Sequence, residues 1–370
     1  MASPRKPRIR RIAITTGGGD APGLNAVIRA VVMAAQRQDW ECVGIRSGYD
    51  GLLSSSPRSG LVPLTPERVR GITNLGGTIL GTTNAGNPLH YPTRLASGRL
   101  VERDRTREVV QALKRERVDA LVAIGGDGSL GIAHALSKKG LRVVGVPKTI
   151  DNDLDSTVIT FGFDSAVSFA TECIDRLHTT AESHRRIMVV EVMGRYAGWI
   201  ALNSGVSGDA HCILIPEIAY DIRKVAAALR EREQSGASYS IVVVAEGAKP
   251  RGGRHSVVEK KIGAAERLGG VGAHVAAELA SLTGKETRHV VLGHLLRGGS
   301  PTTFDRLLSL RFGAAAVRGL AEGRSGVMVA LNPPAVAYVP LATATRRMKR
   351  VPRSSDTVRT ARDLGICLGD

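Results

Sequence analysis

The sequence predicts an α/β protein with two Rossmann-like lobes, each built on a mainly parallel sheet flanked by helices. Two observations predict this class. Apolar runs of strand length alternate with amphipathic stretches of helical period along the whole chain. The runs end in glycine-rich or polar turns, and no tract of Ser, Pro or Gly separates independent domains. We therefore expect the two lobes to exchange the chain more than once.

The first unit shows the pattern clearly. An apolar strand over residues 9–15 leads through a glycine loop into a helix over residues 25–38, where Val27, Ile28 and Val31 recur at helical spacing. Later units repeat this order. They comprise strands over 120–124, 141–146 and 187–192, helices over 130–138 and 196–204, and further strands near Ile213, Ile241 and Val290.

Composition narrows the class of protein. With 370 residues, 43% of them hydrophobic and 23% charged, the chain is typical of a globular protein with sizeable cores. The longest apolar runs fall short of the ~20 residues that a membrane helix requires, so no span is predicted. The basic N-terminus passes directly into a strand, without the apolar segment of a signal peptide. We expect a cytoplasmic location and no membrane partner.

The formal net charge of +17 raises the possibility of nucleic-acid binding. Its distribution argues against it, because basic residues concentrate in the N-terminal tail and near the C-terminus, and aromatic residues make up only 4% of the chain. We favour the interpretation that the positive charge attracts small phosphorylated ligands to the surface. We expect no nucleic-acid partner; retention on DNA at physiological salt would distinguish the two.

Two glycine loops are candidate phosphate sites. Residues 16–23, Thr-Gly-Gly-Gly-Asp-Ala-Pro-Gly, follow a strand and open a helix, so backbone amides can bind phosphate there. Alone, such a loop is often only a tight turn. Residues 125–129, Gly-Gly-Asp-Gly-Ser, repeat the device and add Asp127, a hard oxygen donor suited to Mg²⁺ held between phosphates.

The turn over residues 147–153, Pro-Lys-Thr-Ile-Asp-Asn-Asp, follows another strand. A lone aspartate there is often a helix cap or a turn residue. Here Lys148, Thr149 and Asp153 crowd the same turn as Asp151, an arrangement suited to phosphoryl transfer with a carboxylate as general base. Three basic turns, at 183–186, 193–198 and 293–299, contain Arg186, Arg195 and Arg297, and Arg288 precedes the last of them. Arginines at these four positions could fork onto phosphate oxygens.

Taken in order, eight motifs resemble the 6-phosphofructokinase family over nearly the whole chain. They are Gly-Gly-Asp-Ala-Pro-Gly-Leu-Asn (18–25), Gly-Gly-Thr-Ile-Leu-Gly (76–81), Gly-Gly-Asp-Gly-Ser (125–129), Pro-Lys-Thr-Ile-Asp-Asn-Asp (147–153), Ser-His-Arg-Arg (183–186), Met-Gly-Arg-Tyr-Ala-Gly-Trp (193–199), Ala-Glu-Gly (245–247) and Gly-His-Leu-Leu-Arg-Gly-Gly (293–299). The resemblance implies the phosphofructokinase fold and an enzyme of glycolysis that uses Mg-ATP to phosphorylate the 1-hydroxyl of fructose 6-phosphate.

Roles follow from the resemblance, position by position. Asp151 matches the catalytic base, and Asp127 matches the magnesium aspartate. Thr149, Asp153 and Arg195 complete the expected catalytic set. Donor-binding positions are Gly19, Gly128, Ser129 and Lys148, and substrate-binding positions are Arg186, Met193, Gly194, Arg195, Glu246, Arg288, His294 and Arg297. In this family Arg186 and Arg288 match arginines that reach across a subunit interface, which implies a homodimer or homotetramer.

The resemblance also implies a division of the chain into lobes. Residues 1–8 are expected to form a basic tail. Residues 9–162 with about 296–335 would form the larger, donor-binding lobe, and residues 163–295 with about 336–370 the smaller lobe that binds fructose 6-phosphate.

The phosphoryl donor is the open point. Family members that use pyrophosphate carry aspartate at the position of Gly128 and lysine at that of Lys148, whereas many bacterial members that use ATP carry glycine at both. This chain is mixed. ATP is predicted, because glycine leaves space for the α-phosphate; a pyrophosphate-dependent enzyme is the alternative. Residues 82–85 also lack an arginine that ATP enzymes often have, so a catalytically weak sugar-phosphate-binding paralogue is a second alternative.

Overall fold

The computed structural model describes residues 9–53, 60–83, 86–253, 257–259 and 267–370. The predicted basic tail, residues 1–8, lies outside the described residues. The strands are β1 Arg11–Thr16, β2 Glu41–Ile45, β3 Leu61–Leu64, β4 Tyr91–Arg94, β5 Leu100–Arg103, β6 Ala120–Gly125, β7 Arg142–Pro147, β8 Ile187–Val192, β9 Cys212–Leu214, β10 Ser240–Ala245, β11 Val257–Glu259, β12 Arg267–Leu268, β13 Thr287–Val291, β14 Val327–Asn332 and β15 Ala335–Pro340. The helices are α1 Leu24–Gln36, α2 Asp50–Leu53, α3 Thr106–Arg115, α4 Asp127–Lys138, α5 Phe163–His184, α6 Trp199–Ser207, α7 Ile222–Gln234, α8 Val271–Thr283, α9 Thr303–Ala321, α10 Leu341–Ala344 and α11 Asp356–Asp363, with a 3-10 helix at Gly293–Arg297.

Two separate sheets organise these elements. The larger has the order β15-β14-β7-β6-β1-β2-β3 and is parallel except at its edges, where β3 and β15 run antiparallel to their neighbours. The smaller has the order β13-β8-β10-β9 and is parallel throughout. Two short antiparallel pairs, β4 with β5 and β11 with β12, stand apart from both sheets.

Helices cover both faces of each sheet. Every residue of β6, β8 and β10 is buried, as expected of central parallel strands. One apolar cluster lies between α1, α9 and the larger sheet, and a second lies on its opposite face against α3 and α4. The smaller sheet has its own pair of clusters, against α5 and α6 on one face and α7 and α8 on the other. The predicted α/β class is therefore confirmed.

Two helices begin three residues away from their predicted starts, and one strand pairs with the other sheet. Helix α4 begins at Asp127 rather than at residue 130, so Gly128 and Ser129 lie in its first turn. Helix α6 begins at Trp199 rather than at residue 196, because Arg195 adopts φ 44° and a turn precedes the helix. Strand β15 pairs with β14, so residues 335–340 lie with the larger sheet and not in the smaller lobe that the sequence predicted for residues beyond 335.

Helix α5 carries the chain from the larger sheet towards the smaller one. Its first turn is held by the buried Asp305 of α9, whose carboxylate accepts hydrogen bonds from the backbone N–H (2.8 Å) and the hydroxyl (2.7 Å) of Ser165. This contact fixes the place where the chain leaves the larger sheet. Among the described residues, no helix is long and apolar enough to cross a membrane.

Candidate active site

The predicted site loops all follow parallel strands. In the larger sheet, β7, β6 and β1 are neighbours, and the turns after them contain the two glycine loops and residues 148–153. In the smaller sheet, β13, β8 and β10 are neighbours, and the turns after them contain His294, Arg195 and Glu246. Because the carboxyl ends of parallel strands meet at one edge of a sheet, each sheet gathers its loops into one place.

The two glycine loops pack directly against each other. The backbone N–H of Gly17 donates to the carbonyl of Ile124 at 3.0 Å. Ser129 fills the space between the loops, since a Cβ atom at Gly17 would lie 2.5 Å from the Ser129 hydroxyl oxygen, and one at Gly125 would lie 2.3 Å from the Ser129 Cβ. Glycine is therefore required at both positions for the loops to approach this closely.

The first turn of α4 is open to a ligand. Asp127 and Gly128 are exposed, and a Cβ atom at Gly128 would meet no described atom within 4 Å. Free backbone N–H groups at a helix N-terminus favour anions such as phosphate. Desolvation by neighbouring atoms nevertheless raises the pKa of the Asp127 carboxyl, and a cation bound beside it would favour its ionised form.

Two threonines, Thr82 and Thr83, support the first glycine loop. The Thr82 hydroxyl donates to the carbonyl of Gly18 at 2.5 Å, and the Gly18 N–H donates to the carbonyl of Thr83 at 3.2 Å. Residues 84 and 85 of that segment lie outside the described residues. These positions therefore hold the shape of the loop and add no positive charge to it.

Asp151 lies buried at the end of β7, with 6% of its surface exposed. Its N–H donates to the Thr149 hydroxyl at 3.1 Å, and its Oδ1 has no hydrogen-bond partner among the described residues. Burial raises the pKa of the Asp151 carboxyl, while the positive charges of Arg297, Arg195 and Lys148 lower it. A buried carboxylate with a free oxygen and cations around it can accept a proton from a bound hydroxyl.

Asp153 lies two residues further on and interacts with Asp151. Burial, followed by the neighbouring Asp151 charge, raises the pKa of Asp153 to about 7, and hydrogen bonding from Thr149 acts in the opposite direction. Its Oδ1 also lacks a hydrogen-bond partner among the described residues. The two carboxylates therefore titrate as a pair, and a cation bound between them and Asp127 would favour the ionised form of both.

Lys148 points away from solvent and into the first glycine loop. Its ammonium donates to the carbonyl of Gly19, and its N–H donates to the carbonyl of Gly125 at 3.0 Å, so it ties both loops to the catalytic turn. Burial and the nearby Arg297 lower the pKa of Lys148 to about 8, although Asp151 and two other carboxylates act to raise it.

Arg195 and Glu246 join the turns after β8 and β10. The Glu246 carboxylate accepts the N–H of Arg195 at 3.0 Å and that of Gly194 at 3.4 Å. A Cβ atom at Gly247 would lie only 1.6 Å from the Arg195 carbonyl oxygen, so the two turns are in direct backbone contact. Burial raises the pKa of Glu246, and the Asp151 charge acts in the same direction.

Arg297 connects the two sheets. It follows β13 in the smaller sheet, yet its guanidinium donates to the carbonyl of Asp20 at 3.0 Å and lies over Gly19, where a Cβ atom would be 2.3 Å from Nη1. Gly19 is therefore a point where loops from both sheets touch, and a side chain larger than hydrogen would displace the Arg297 guanidinium from it.

The remaining predicted substrate residues divide into two groups. Met193 is half-buried against the apolar core of the smaller sheet, and His294 is exposed in the 3-10 turn, both at the site edge. Arg186 and Arg288 lie at the opposite end of β8 and β13, where both pair with Glu286 at 2.8 and 2.6 Å. Since β8 has six residues, about 20 Å separates the two ends. These arginines cannot reach the Asp151 site of their own chain.

Magnesium fits this arrangement only as an ion shared with phosphates. No group of three or more His, Cys, Asp or Glu side chains in the described ranges could hold a metal by itself. Mg²⁺ keeps several waters and binds proteins through one or two carboxylates plus substrate phosphates. Asp127 and the unpartnered Oδ1 of Asp153 meet that requirement.

The structure adds neighbours that the sequence did not indicate. Asn152, between the two carboxylates, has φ 50°, and its side chain accepts from the ammonium of Lys349 at 2.8 Å. Lys349 lies 197 positions further along the chain. In the sequence it is one of several basic residues near the C-terminus, and no spacing or motif distinguishes it from the others.

Comparison with known proteins agrees with this architecture. The Phosphofructokinase family model matches residues 11–320. The ATP-dependent 6-phosphofructokinase of Chloroflexus aurantiacus is 53% identical over 361 residues, which cover 98% of each chain. The pyrophosphate–fructose 6-phosphate 1-phosphotransferase of Amycolatopsis mediterranei is 49% identical over 345 residues, covering 92% of this chain and 96% of that protein. The solved Pichia pastoris phosphofructokinase in the T-state superposes with a TM-score of 0.78 at 30% identity, covering 99% of this chain and 38% of that longer chain.

The chain belongs to the phosphofructokinase family, and the resemblance drawn from its motifs is confirmed.

The contact between the turns after β8 and β10 predicts a strong effect of Gly247→Ala. The added methyl would overlap the Arg195 carbonyl, so we expect a destabilisation of about 1–3 kcal/mol or more, measured as a lower midpoint of thermal or urea unfolding. Gly131→Ala is the matched control, because its Cβ meets open space within helix α4 and should leave the midpoint unchanged or raise it. Equal midpoints for both variants would show that the two turns are not held together.

Proposed function

We propose that this chain is an ATP-dependent 6-phosphofructokinase, a phosphotransferase of glycolysis that converts fructose 6-phosphate to fructose 1,6-bisphosphate. The observation that carries the proposal is the buried Asp151: its Oδ1 has no hydrogen-bond partner among the described residues, and its carboxyl interacts with the charges of Arg297, Arg195 and Lys148 where loops from two sheets meet. The proposal is supported by the ATP-dependent relative at 53% identity over 98% of the chain. A cytoplasmic location remains a prediction from the sequence.

The proposed reaction transfers one phosphoryl group. Asp151 accepts the proton of the sugar's 1-hydroxyl while that oxygen forms a bond to the γ-phosphorus of ATP. The bond between the γ-phosphorus and the β–γ bridging oxygen breaks, and ADP leaves with that electron pair. Lys148 and Arg297 would oppose the negative charge of the transferring group, and the first turn of α4 would bind donor phosphates. Asp127 and Asp153 would hold Mg²⁺, which neutralises charge on the donor phosphates when bound.

Replacing Asp151 with Ser removes the proposed base and keeps a small polar side chain. We expect kcat to fall about 100- to 10,000-fold, because a general base acts mainly in the transition state. The Kd for fructose 6-phosphate, measured by calorimetry, should change little. A variant that kept the kcat of the parent would exclude Asp151 as the base, and one that lost sugar binding and kcat equally would make Asp151 a binding residue.

Two positions bear on the donor. The space around Gly128 is open and would accept the α-phosphate of ATP, whereas an aspartate there would place bulk and negative charge in it. Lys148 favours pyrophosphate in the sequence comparison, but here its ammonium bonds to the Gly19 carbonyl. We therefore give Gly128 more weight. Pyrophosphate is the second candidate donor, supported by Lys148 and by the relative at 49% identity.

Gly128→Asp tests the donor assignment without disturbing the packing. With fructose 6-phosphate fixed, we expect the parent to have a higher kcat/KM with ATP than with pyrophosphate. In the variant we expect kcat/KM with ATP to fall about tenfold or more, which corresponds to about 1.4 kcal/mol of transition-state stabilisation. The kcat/KM with pyrophosphate should fall much less. Gly128→Ala is the control, because it adds a methyl group to the same open space without charge. A parent that preferred pyrophosphate would refute the assignment to ATP.

We also propose that the complete substrate site forms between subunits of a homodimer or homotetramer. Arg186 and Arg288 lie too far from Asp151 to act within one chain. Arg288 lies on β13, the edge strand of the smaller sheet, which has no second neighbour among the described strands, and Arg186 directly precedes the adjacent strand β8. At the other end of β13, Val291 is 51% exposed and Leu295 is 62% exposed, which suits a surface covered by another copy.

Complementation between two inactive variants tests the shared site. Asp151→Ser and Arg288→Ala should each have low activity alone. Co-expression would create sites with an intact Asp151 from one chain and an intact Arg288 from the other, about a quarter of all sites for random pairing across a two-fold interface. Activity of the purified mixture well above that of either variant is expected. Mixed oligomers with no recovered activity would show that each chain uses its own arginine.

A further inference from the structure

The segment near the C-terminus crosses behind the catalytic turn. We call residues 347–353 the C-terminal segment. The N–H of Lys349 donates to the carbonyl of Asp153 at 2.7 Å, and Met348 forms an isolated antiparallel bridge with Leu154. The backbone of the turn that carries both carboxylates is therefore bonded to a part of the chain that is remote in sequence.

The Lys349 side chain makes the same connection a second time. Its ammonium donates to the Asn152 side-chain oxygen at 2.8 Å, to the Thr157 carbonyl at 3.0 Å and to the Val158 carbonyl at 3.0 Å. Three acceptors match the three protons of a lysine ammonium. Lys349 thus ties the start of the loop 152–158 to its end.

Asn152 is the residue through which this contact reaches the carboxylates. It stands between Asp151 and Asp153 in the left-handed region, at φ 50°, which is uncommon for a residue other than glycine. Its side-chain oxygen accepts from Lys349 and also from the N–H of Thr160 at 3.2 Å. Fixing Asn152 in this conformation fixes the directions in which the two neighbouring carboxylates leave the backbone.

The other side of the C-terminal segment is bonded to the turn after β8. The indole N–H of Trp199 donates to the Lys349 carbonyl at 3.0 Å. The carboxylate of Glu217 accepts the N–H of Val351 at 2.9 Å and the N–H of Gly198 at 3.1 Å. The segment therefore joins the turn that carries Asp151 to the turn that carries Arg195.

The Lys349 ammonium is surrounded by protein acceptors, unlike a solvated surface charge. Burial lowers the pKa of its ammonium to about 8, and attraction to Asp153 and Asp155 acts in the opposite direction. Arg346, three positions earlier, has an exposed side chain. A charge that served only solubility or ligand attraction would lie in solvent, as the guanidinium of Arg346 does.

We propose that Lys349 is a positioning residue for phosphoryl transfer. It fixes the conformation of Asn152 and of the loop 152–158, and it thereby holds Asp151 and Asp153 at a fixed position relative to the turn that carries Arg195. This inference rests on the proposed function, because the attack of the sugar hydroxyl is the step that requires this relative position of the carboxylates and Arg195. The Lys349 ammonium bonds to Asn152 and to the carbonyls of Thr157 and Val158, so it acts through the loop.

The test compares Lys349→Met with Arg346→Met in the full-length protein. Both variants remove one positive charge from the same part of the chain, but only the first removes the three hydrogen bonds. We expect kcat with MgATP and fructose 6-phosphate to fall about 10- to 100-fold in Lys349→Met, since small misplacements of reacting groups have effects of this size. The KM for ATP should stay within about twofold, and Arg346→Met should match the parent. Parental kcat in Lys349→Met would overturn the proposal, as would an equal loss in Arg346→Met.

Hydrogen exchange followed by mass spectrometry supplies a readout that does not depend on turnover. Amides in residues 150–161, including the Thr160 N–H, should exchange faster in Lys349→Met than in Arg346→Met. If the parent formed no bisphosphate, the proposed function would fail, while the exchange rates would still decide whether Lys349 holds the loop. If the parent formed the bisphosphate and Lys349→Met exchanged no faster than Arg346→Met, the proposal for Lys349 would be overturned and the proposed function would stand.

Two further variants keep the test decisive. Asn152→Gly permits the left-handed backbone but removes the side-chain oxygen, so adding Lys349→Met to it should lower kcat by less than it does in the parent. If the kcat decreases of the two single variants multiplied fully in the double variant, Lys349 would not act through Asn152. If Lys349→Met did not fold, Lys349→Arg would replace it, because guanidinium protons cannot converge on three acceptors from one nitrogen. Faster exchange and lower kcat are expected there too, and parental values of both would overturn the proposal.

Discussion

The structure depends on one interaction above all, the burial of the Asp151 carboxylate among Lys148, Arg195 and Arg297. A carboxylate removed from water is strongly unfavourable unless positive charge surrounds it. These three cations come from the ends of three strands: β7 in the larger sheet, and β8 and β13 in the smaller one. The carboxylate is therefore tolerated only when the two sheets lie against each other, and that closure also assembles the site.

The same charges set the chemistry. Burial raises the pKa of Asp151 above its ordinary value while the cations act to lower it, so the carboxylate is a stronger base than an exposed aspartate and is suited to accept the proton of a sugar hydroxyl. Lys148 is buried by the same closure, which lowers its pKa to about 8. Its bond to Gly19, and the Arg297 bond to Asp20, show that the loop expected to cover the donor is held by residues from both sheets. Donor and acceptor loops thus form one connected unit, to which Lys349 adds a support from outside.

Local patterns in the sequence predicted much of this. Apolar runs gave the strands, and glycine loops after them gave the turns, because a buried parallel strand and a close backbone approach leave plain signatures. The start of α4 was missed, since Asp127, Gly128 and Ser129 resemble a loop until their helical hydrogen bonds are seen. The pairing of β15 with β14 was missed because no local signal shows to which sheet an edge strand belongs. Lys349 could not be found at all, because its partners are brought near by tertiary folding alone.

The central claim is that this site moves the terminal phosphoryl group of ATP to the 1-hydroxyl of fructose 6-phosphate. Phosphorus-31 nuclear magnetic resonance of the purified protein with Mg²⁺, ATP and fructose 6-phosphate tests it most directly, because donor, acceptor and products have separate signals. The account predicts equal amounts of ADP and of a phosphate ester at carbon 1, with little inorganic phosphate. Consumption of ATP that released only inorganic phosphate, or a sugar left without a second ester, would contradict it.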